Sequence, residues 1–275
     1  MYLTRHETPA GPRWALDDRF LPPDLRLGLL LQLPRAALGE LLRAMPRGEP
    51  AAGRLLPPVE PEQEVWAAGV TYLRSREARE AESTVKDVYA RVYEATRPEL
   101  FFKAGGRRVV AHGGPIRVRD DSAWNVPEPE LTLVVNAGGE IAGYCAGNDV
   151  SSRDIEGENP LYLPQAKVYS GSCAVGPGIV LVAPGDEDRL RELTIGLTVS
   201  RGGAVVFQGE TRTSQIKRPL GELVAHLRRE LDFPSGVFLM TGTGIVPPAD
   251  FSLARGDVVR MGVGALTLEN QVAKI

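Results

Sequence analysis

Glu128, Glu130 and Asp149 are the residues of this chain whose type and spacing most directly suggest chemistry. The run from Leu131 to Val135 is apolar and rich in β-formers, Gly138-Gly139 supplies a turn, and Ile141 to Ala146 returns. With Gly138 and Gly139 as the two loop residues, paired positions sum to 277 and Glu128 stands opposite Asp149. Opposite residues of an antiparallel pair share a face, with Cβ atoms about 4.5–5.5 Å apart. The two-residue period of a strand puts Glu130 on that face too. Three carboxylates are therefore expected on one patch. At about 5 Å and an effective dielectric of about 20, each ionised pair repels by about 3 kcal/mol. Protonation, splaying into water or a bound cation must relieve this. An all-oxygen set suits a hard ion, Mg²⁺ or Mn²⁺. Solvated edge-strand carboxylates are the alternative, and the spacing alone leaves both open.

Other groups are ambiguous by themselves. Lys167 sits in LPQAKVYSG, outside any charge run; Glu99 follows Pro98, and Lys103 follows Phe101-Phe102. Local spacing does not decide between ion pairing and catalysis for any of them. Thr241-Gly242-Thr243-Gly244 could hold a carboxylate through backbone N–H groups and two hydroxyls, or be a plain turn. GVGALT near Gly262 lies within expected strands and opens no helix, so it is not a dinucleotide fingerprint. GGRRVVAHGG lacks the GK[ST] of a P-loop.

The elements that must position these groups follow from pattern. The 275 residues are 43% hydrophobic and 24% charged, enough for a real core. A net charge of −3 gives no sign of nucleic-acid or membrane-surface binding. No apolar run approaches a membrane span, and MYLTRHETPAGPRW lacks a signal-peptide core, so a cytoplasmic protein is expected. Cys145 and Cys173 have no metal spacing, and His6, His112 and His226 are scattered, which disfavours a zinc site or a Ser-His-Asp triad. Residues 1–63, punctuated by prolines and carrying one helix from about Arg35 to Met45, read as a separate small domain; residues 64–275 form the rest. Val65 to Val70 reads as a buried strand. Two helices follow, with Ser83 or Thr84 as a cap between them and Val85, Val88, Tyr89 and Val92 on one face. Asn159 to Lys167, with two prolines, reads as loop, and Leu220 to Leu231 as an amphipathic helix. Many short strands and few helices point to a β-rich α+β fold.

Taken together, Glu128-x-Glu130, GNDVSSRD from Gly147 to Asp154, Lys167, Gly176-Pro177 and Thr241-Gly242-Thr243 resemble the fumarylacetoacetate hydrolase superfamily over roughly residues 64–275. The resemblance implies a mixed β-roll catalytic domain, a homodimer or homotetramer, and Mg²⁺ or Mn²⁺ held by Glu128, Glu130 and Asp149. It implies that Lys167 contacts the oxo acid group and Thr243 a substrate carboxylate; Lys103, Arg153 and Ser75 are further candidates for substrate contacts. Hydrolytic members carry G-x-N-Y-x-x-H-x-x-E, whose His-Glu pair activates water. Here Thr71 replaces the Asn, Ser75 the His and Ala78 the Glu, and a serine without a partner base is a poor general base. The gap from Glu130 to Asp149, NPLYLPQAK and RPELFFKA are instead similar to the superfamily's sugar-acid dehydratases. That likeness implies a small 2-oxo acid substrate, with 2-keto-3-deoxy-D-arabinonate losing water to give 2,5-dioxopentanoate. The metal would act on the oxo acid oxygens, Glu99 or Lys167 would take the C3 proton, and Glu99 would help the hydroxyl leave. Acylpyruvate C–C hydrolysis, oxaloacetate decarboxylation and non-catalytic oxo-acid binding are the alternatives.

Overall fold

The computed structural model describes residues 1–82 and 86–273. The cap expected at Ser83 or Thr84 and the stripe position Val85 lie outside the described residues. The chain begins with β1 (Tyr2–Thr8), β2 (Gly11–Leu16), β3 (Arg19–Phe20), α1 (Leu27–Leu30), α2 (Arg35–Ala44) and β4 (Leu55–Leu56). It continues through β5 (Glu64–Gly69), α3 (Leu73–Glu82), α4 (Lys86–Glu94), β6 (Glu99–Gly105), β7 (Pro115–Ile116), β8 (Asn125–Val126), β9 (Pro129–Val135) and β10 (Ile141–Asp149). Next come β11 (Ser151–Ser152), α5 (Arg153–Glu158), α6 (Leu163–Lys167) and β12 (Cys173–Leu181). The last elements are β13 (Thr194–Arg201), β14 (Ala204–Arg212), α7 (Leu220–Leu227), β15 (Val237–Met240), β16 (Val258–Val263) and β17 (Leu266–Val272).

Among the described residues the strands make a ten-stranded sheet, β3-β2-β1-β12-β10-β9-β15-β5-β6 with β4 on β1. A five-stranded sheet, β14-β13-β16-β17-β7, and the short pair β11-β8 complete them. β15 runs parallel to β5 and β7 parallel to β17, so the strand-rich α+β fold is mixed, as expected. One face of the large sheet, with Leu131, Leu133, Tyr144 and Leu239, packs on Ile195, Leu197, Val259 and Met261 of the smaller sheet. The other face buries Val134, Cys145, Phe238 and Met240 against Leu27, Leu31, Leu38 and Leu42. The first 63 residues pack directly on the rest: β1 pairs with β12, and their apolar helices cover a face that would otherwise meet water. By the strand period, Glu130 and Asp149 lie on this second face, just beyond its apolar stretch.

The hairpin that sets the carboxylates differs from expectation at its tip. Gly139 N donates to Asn136 O (2.9 Å), Asn136 N to Glu140 O (3.0 Å), and Gly139 takes φ +87°, so the loop holds three residues rather than Gly138-Gly139 alone. Glu140 N also donates to Asn136 Oδ1 (2.8 Å), which favours the longer turn. A bulge between Ile141 and Gly143 then restores the lost residue. From Gly143↔Val134 to Asn148↔Pro129 the pairing follows the expected register.

Two more local expectations change, at Asn159 to Lys167 and at α7. Asn159 to Lys167 is not loop: Asn159 Oδ1 accepts from Leu161 N (2.9 Å), and Pro164 sits in the first turn of α6, where its missing N–H costs nothing. Ser151-Ser152 pairs with β8, and only then does α5 begin. The α7 helix stops at Leu227, short of the exposed Leu231.

Candidate active site

Glu128, Glu130 and Asp149 each offer a carboxylate oxygen, all within 4.8 Å of one another and all buried. Opposite oxygens around a Mg²⁺ ion stand about 4.2 Å apart, twice its usual bond length, so a small hard dication fits this cluster. Asp149 N donates to Glu128 O (3.0 Å), which fastens the two ligand strands beside the site. Burial, then repulsion from Asp149 and Glu128, holds the Glu130 carboxyl well above the usual range. Burial also raises Glu128, with Asp149 adding to it. Gly242 N donates to Glu130 Oε2 (2.6 Å) and joins the 241–243 loop to the same cluster. Gly242 is at φ +88°, and a Cβ there would meet Thr71 Oγ1 at 2.1 Å, so only glycine allows this approach. Thr71 Oγ1 in turn donates to Thr241 O (2.6 Å).

Two lysines serve the carboxylates in different ways. Lys167, at the end of α6, donates from Nζ to Ser151 Oγ (2.5 Å), Glu128 Oε2 (3.0 Å) and Asp149 Oδ2 (3.3 Å). Burial opposes its charge, but Asp149 and Glu128 outweigh that and hold its pKa well above the usual lysine value. Its ammonium is thereby fastened between the two carboxylates as a hydrogen-bond donor to both. Lys103 is not the substrate contact expected of it. It lies behind the site with no exposed surface, its Nζ paired to Asp149 Oδ1 (2.5 Å) and donating to Val150 O (3.0 Å) and Lys167 O (2.5 Å). Its three hydrogens fix one metal-ligand candidate and the end of α6. Arg153 likewise faces protein, with Nη2 on Glu128 Oε1 (2.5 Å) and Nη1 on Glu156 Oε2 (2.7 Å), though it also lines the cleft.

The cleft above the carboxylates spans ≈ 390 Å³ including the solvent at its mouth and is lined by Ser75 and Arg79 of α3, Glu99 and Phe101 of β6, Glu128, Asp149, Arg153, Glu156, Lys167 and Thr243. A larger groove of ≈ 1560 Å³, bounded by Arg5, Gly11, Arg107 and Arg117, contains none of the candidate residues. Chemistry, not size, singles out the smaller one. Glu99 lies across Gly69, its cross-strand partner; a Cβ on Gly69 would stand 2.1 Å from Glu99 Oε2. Burial and the neighbouring Glu156 raise Glu99 to about 7. Val70 is held at φ +52°, costly for a β-branched residue and typical of strain kept at working sites. Ser75 Oγ donates to Tyr72 O (2.8 Å). Thr243 Oγ1 accepts from Ile245 N (3.2 Å) at the far side.

The family model for the C-terminal part of fumarylacetoacetate hydrolase matches residues 64–273. The chain belongs to the fumarylacetoacetate hydrolase family. Within that family it is 49% identical over 219 residues to a probable 2-keto-3-deoxyxylonate dehydratase of Haloferax volcanii, covering 79% of this chain and 74% of that one. It is 42% identical over 226 residues to the 2-dehydro-3-deoxy-D-arabinonate dehydratase of Saccharolobus solfataricus, covering 80% and 75%. A solved 2-keto-3-deoxy-D-arabinonate dehydratase complexed with magnesium and 2,5-dioxopentanoate superposes with a TM-score of 0.82 at 35% identity, over 100% of this chain and 99% of that one.

Against the hydrolytic pattern of the fumarylacetoacetate hydrolase family, this cleft lacks a water-activating base at position 75. Ser75 is engaged with the backbone of its own turn, and His6, His112 and His226 do not line the cleft. Arg79, Glu156 and Ser151 were missed in the sequence. Arg79 and Glu156 lie on helices α3 and α5, whose spacing marks no site, and they meet only in the folded chain. Ser151 offered one signal, its place two residues after Asp149.

The charges in and around the cleft nearly balance. With all groups ionised, Glu99, Glu128, Glu130, Asp149 and Glu156 exceed Arg79, Lys103, Arg153 and Lys167 by one negative charge. A dication together with one substrate carboxylate brings the sum to zero, as a buried site requires.

Proposed function

We propose that this chain is a Mg²⁺-dependent hydro-lyase that removes water from a 2-keto-3-deoxy sugar acid, taking 2-keto-3-deoxy-D-arabinonate to 2,5-dioxopentanoate. In the D series the xylonate and arabinonate names describe one compound, because C2 is a carbonyl, C3 a methylene and C4 the single stereocentre. The observation that carries the reading is a buried three-carboxylate cluster sharing a cleft with Glu99 while position 75 offers no base for water. Glu128, Glu130 and Asp149 would hold the ion; Mn²⁺ suits the same oxygens. When bound, the ion supplies a Lewis acid for the oxygens of the 2-oxo acid.

The protein's own groups divide the remaining work. Thr243, which lines the cleft beside the Gly242 turn, is suited to receive the substrate carboxylate. Glu99, with a pKa near neutrality, is suited to take the C3 proton and return it to the departing C4 hydroxyl, a role worth typically about 10²–10⁴-fold. Lys167, bonded to Glu128 and Asp149 on the cleft wall, is suited to orient the oxo acid. Water loss leaves a C3=C4 double bond; protonation at C3 and at C4, matched by loss of one C5–H and of the C5 hydroxyl proton, then gives the aldehyde.

A net charge of −3 supports an enzyme with no nucleic-acid partner, and the dehydratase relatives, enzymes acting on small water-soluble acids, support a cytoplasmic one. Family membership supports a homodimer or homotetramer. Incubation with a panel of 2-keto-3-deoxy sugar acids, acylpyruvates and oxaloacetate plus Mg²⁺, read by mass, tests the reading. Loss of one water from the sugar acid is expected; C–C scission, loss of CO₂ or binding without turnover would replace it with one of the alternatives.

A further inference from the structure

The cleft has two chemically different ends. Glu128, Asp149, Lys167 and Thr243 form one, where the ion and the oxo acid group belong. The other is made by helices, with Ser75 and Arg79 from α3 and Glu156 from α5. Ser75 and Arg79 are four residues apart and so project from the same face of α3. Arg79 is only 5% exposed. Its Nη1 donates to Glu156 Oε2 (3.4 Å), an oxygen that also accepts from Arg153 Nη1 (2.7 Å). Arg153 continues to the metal end through Glu128, so Glu156 is a link that fixes Arg79 relative to the carboxylates.

A guanidinium is a rigid planar fork of N–H donors with no acceptor. Hydroxyl oxygens are natural acceptors for it. The sugar acid carries hydroxyls on C4 and C5, beyond the reach of groups that hold C1 and C2. We infer that Arg79 is the specificity residue for the hydroxylated tail of the substrate, with Glu156 as the positioning residue that holds it. This rests on the sugar-acid reading above.

The test compares a full-length ligand with a truncated one. 2-Oxobutyrate has the oxo acid head and no hydroxyls. For Arg79→Met and Glu156→Gln, kcat and KM for 2-keto-3-deoxy-D-arabinonate are measured beside the competitive Ki of 2-oxobutyrate, the Mg²⁺ affinity by calorimetry and the melting temperature. In Arg79→Met, kcat/KM should fall about tenfold to a hundredfold, mainly through KM, as when a charged hydrogen-bond donor is lost. Ki for 2-oxobutyrate and Mg²⁺ affinity should not move. Glu156→Gln should show the same selectivity in smaller measure, and it keeps the side-chain shape if the Arg79 variant folds poorly. Equal weakening of both ligands, or an unchanged KM, overturns the inference. If the wild-type enzyme does not turn the sugar acid over, the dehydratase reading fails by itself. Calorimetric binding of the sugar acid and of 2-oxobutyrate to the same variants then still decides the role of Arg79.

Discussion

Gly69→Ala should disable the enzyme without touching a polar group. A methyl at residue 69 would stand 2.1 Å from Glu99 Oε2, 2.6 Å from Cδ and 3.3 Å from Cγ. Carbon and oxygen normally approach to about 3.3 Å, so the carboxylate must retreat by about 1 Å or more. A displacement of that size costs about 10²-fold in a positioned catalytic group, and full loss of an acid/base costs up to about 10⁴-fold. The expected fall in kcat is therefore about 10²–10⁴, or about 2.7–5.5 kcal/mol in barrier. Glu99 ends in a flexible side chain, so the loss of stability should be about 1–3 kcal/mol. Steady-state kinetics on Gly69→Ala, Glu99→Gln and the double variant provide the assay. If the alanine acts through Glu99, adding it to Glu99→Gln costs little more. Near wild-type kcat in Gly69→Ala, or losses that multiply in the double variant, would refute the reasoning.

Three further expectations concern the buried charges. Glu128 and Glu130 hold protons more tightly than ordinary glutamates, so Mg²⁺ binding must release them and should weaken as pH falls; calorimetry in buffers of different ionisation heat would show this, and buffer-independent heats would count against it. Lys103→Met should cost about 3–5 kcal/mol in chemical denaturation, because Asp149 loses its buried counter-charge; a loss below about 1 kcal/mol would mean Asp149 finds another partner. Glu99 has a folded pKa of about 7, above the ordinary glutamate value of 4.5, so the folded state keeps a proton that the unfolded chain gives up. Stability should thus decline between pH 4.5 and 7 on account of Glu99. Glu99→Gln, measured without metal, should gain stability over wild type across that window and hold the gain above it; a pH-independent difference would contradict the shift.

The parts legible in the sequence were those fixed by short-range geometry. The period of a strand and the pairing of a hairpin bring Glu128, Glu130 and Asp149 together, and they do so even though the turn at Gly139 is one residue longer than expected. The bulge at Ala142 conceals that difference from any reading of the ligand end. What the sequence hid depends on contacts between distant segments. Lys103 looks like a cleft residue until Val150, Asp149 and the carbonyl of Lys167 surround it. Gly69 has an ordinary strand context, and its need for hydrogen appears only when Glu99 is laid across it. Nothing in the proline-rich first 63 residues announces that β1 will pair with β12.

The most direct test is NMR of 2-keto-3-deoxy-D-arabinonate in D₂O with the Mg²⁺-loaded enzyme and with the same enzyme after exhaustive chelation. The loaded enzyme should form 2,5-dioxopentanoate, with an aldehyde signal and deuterium at C3 and C4, and the chelated enzyme should form none. Pyruvate and glycolaldehyde as products, or undiminished turnover after chelation, would contradict the account.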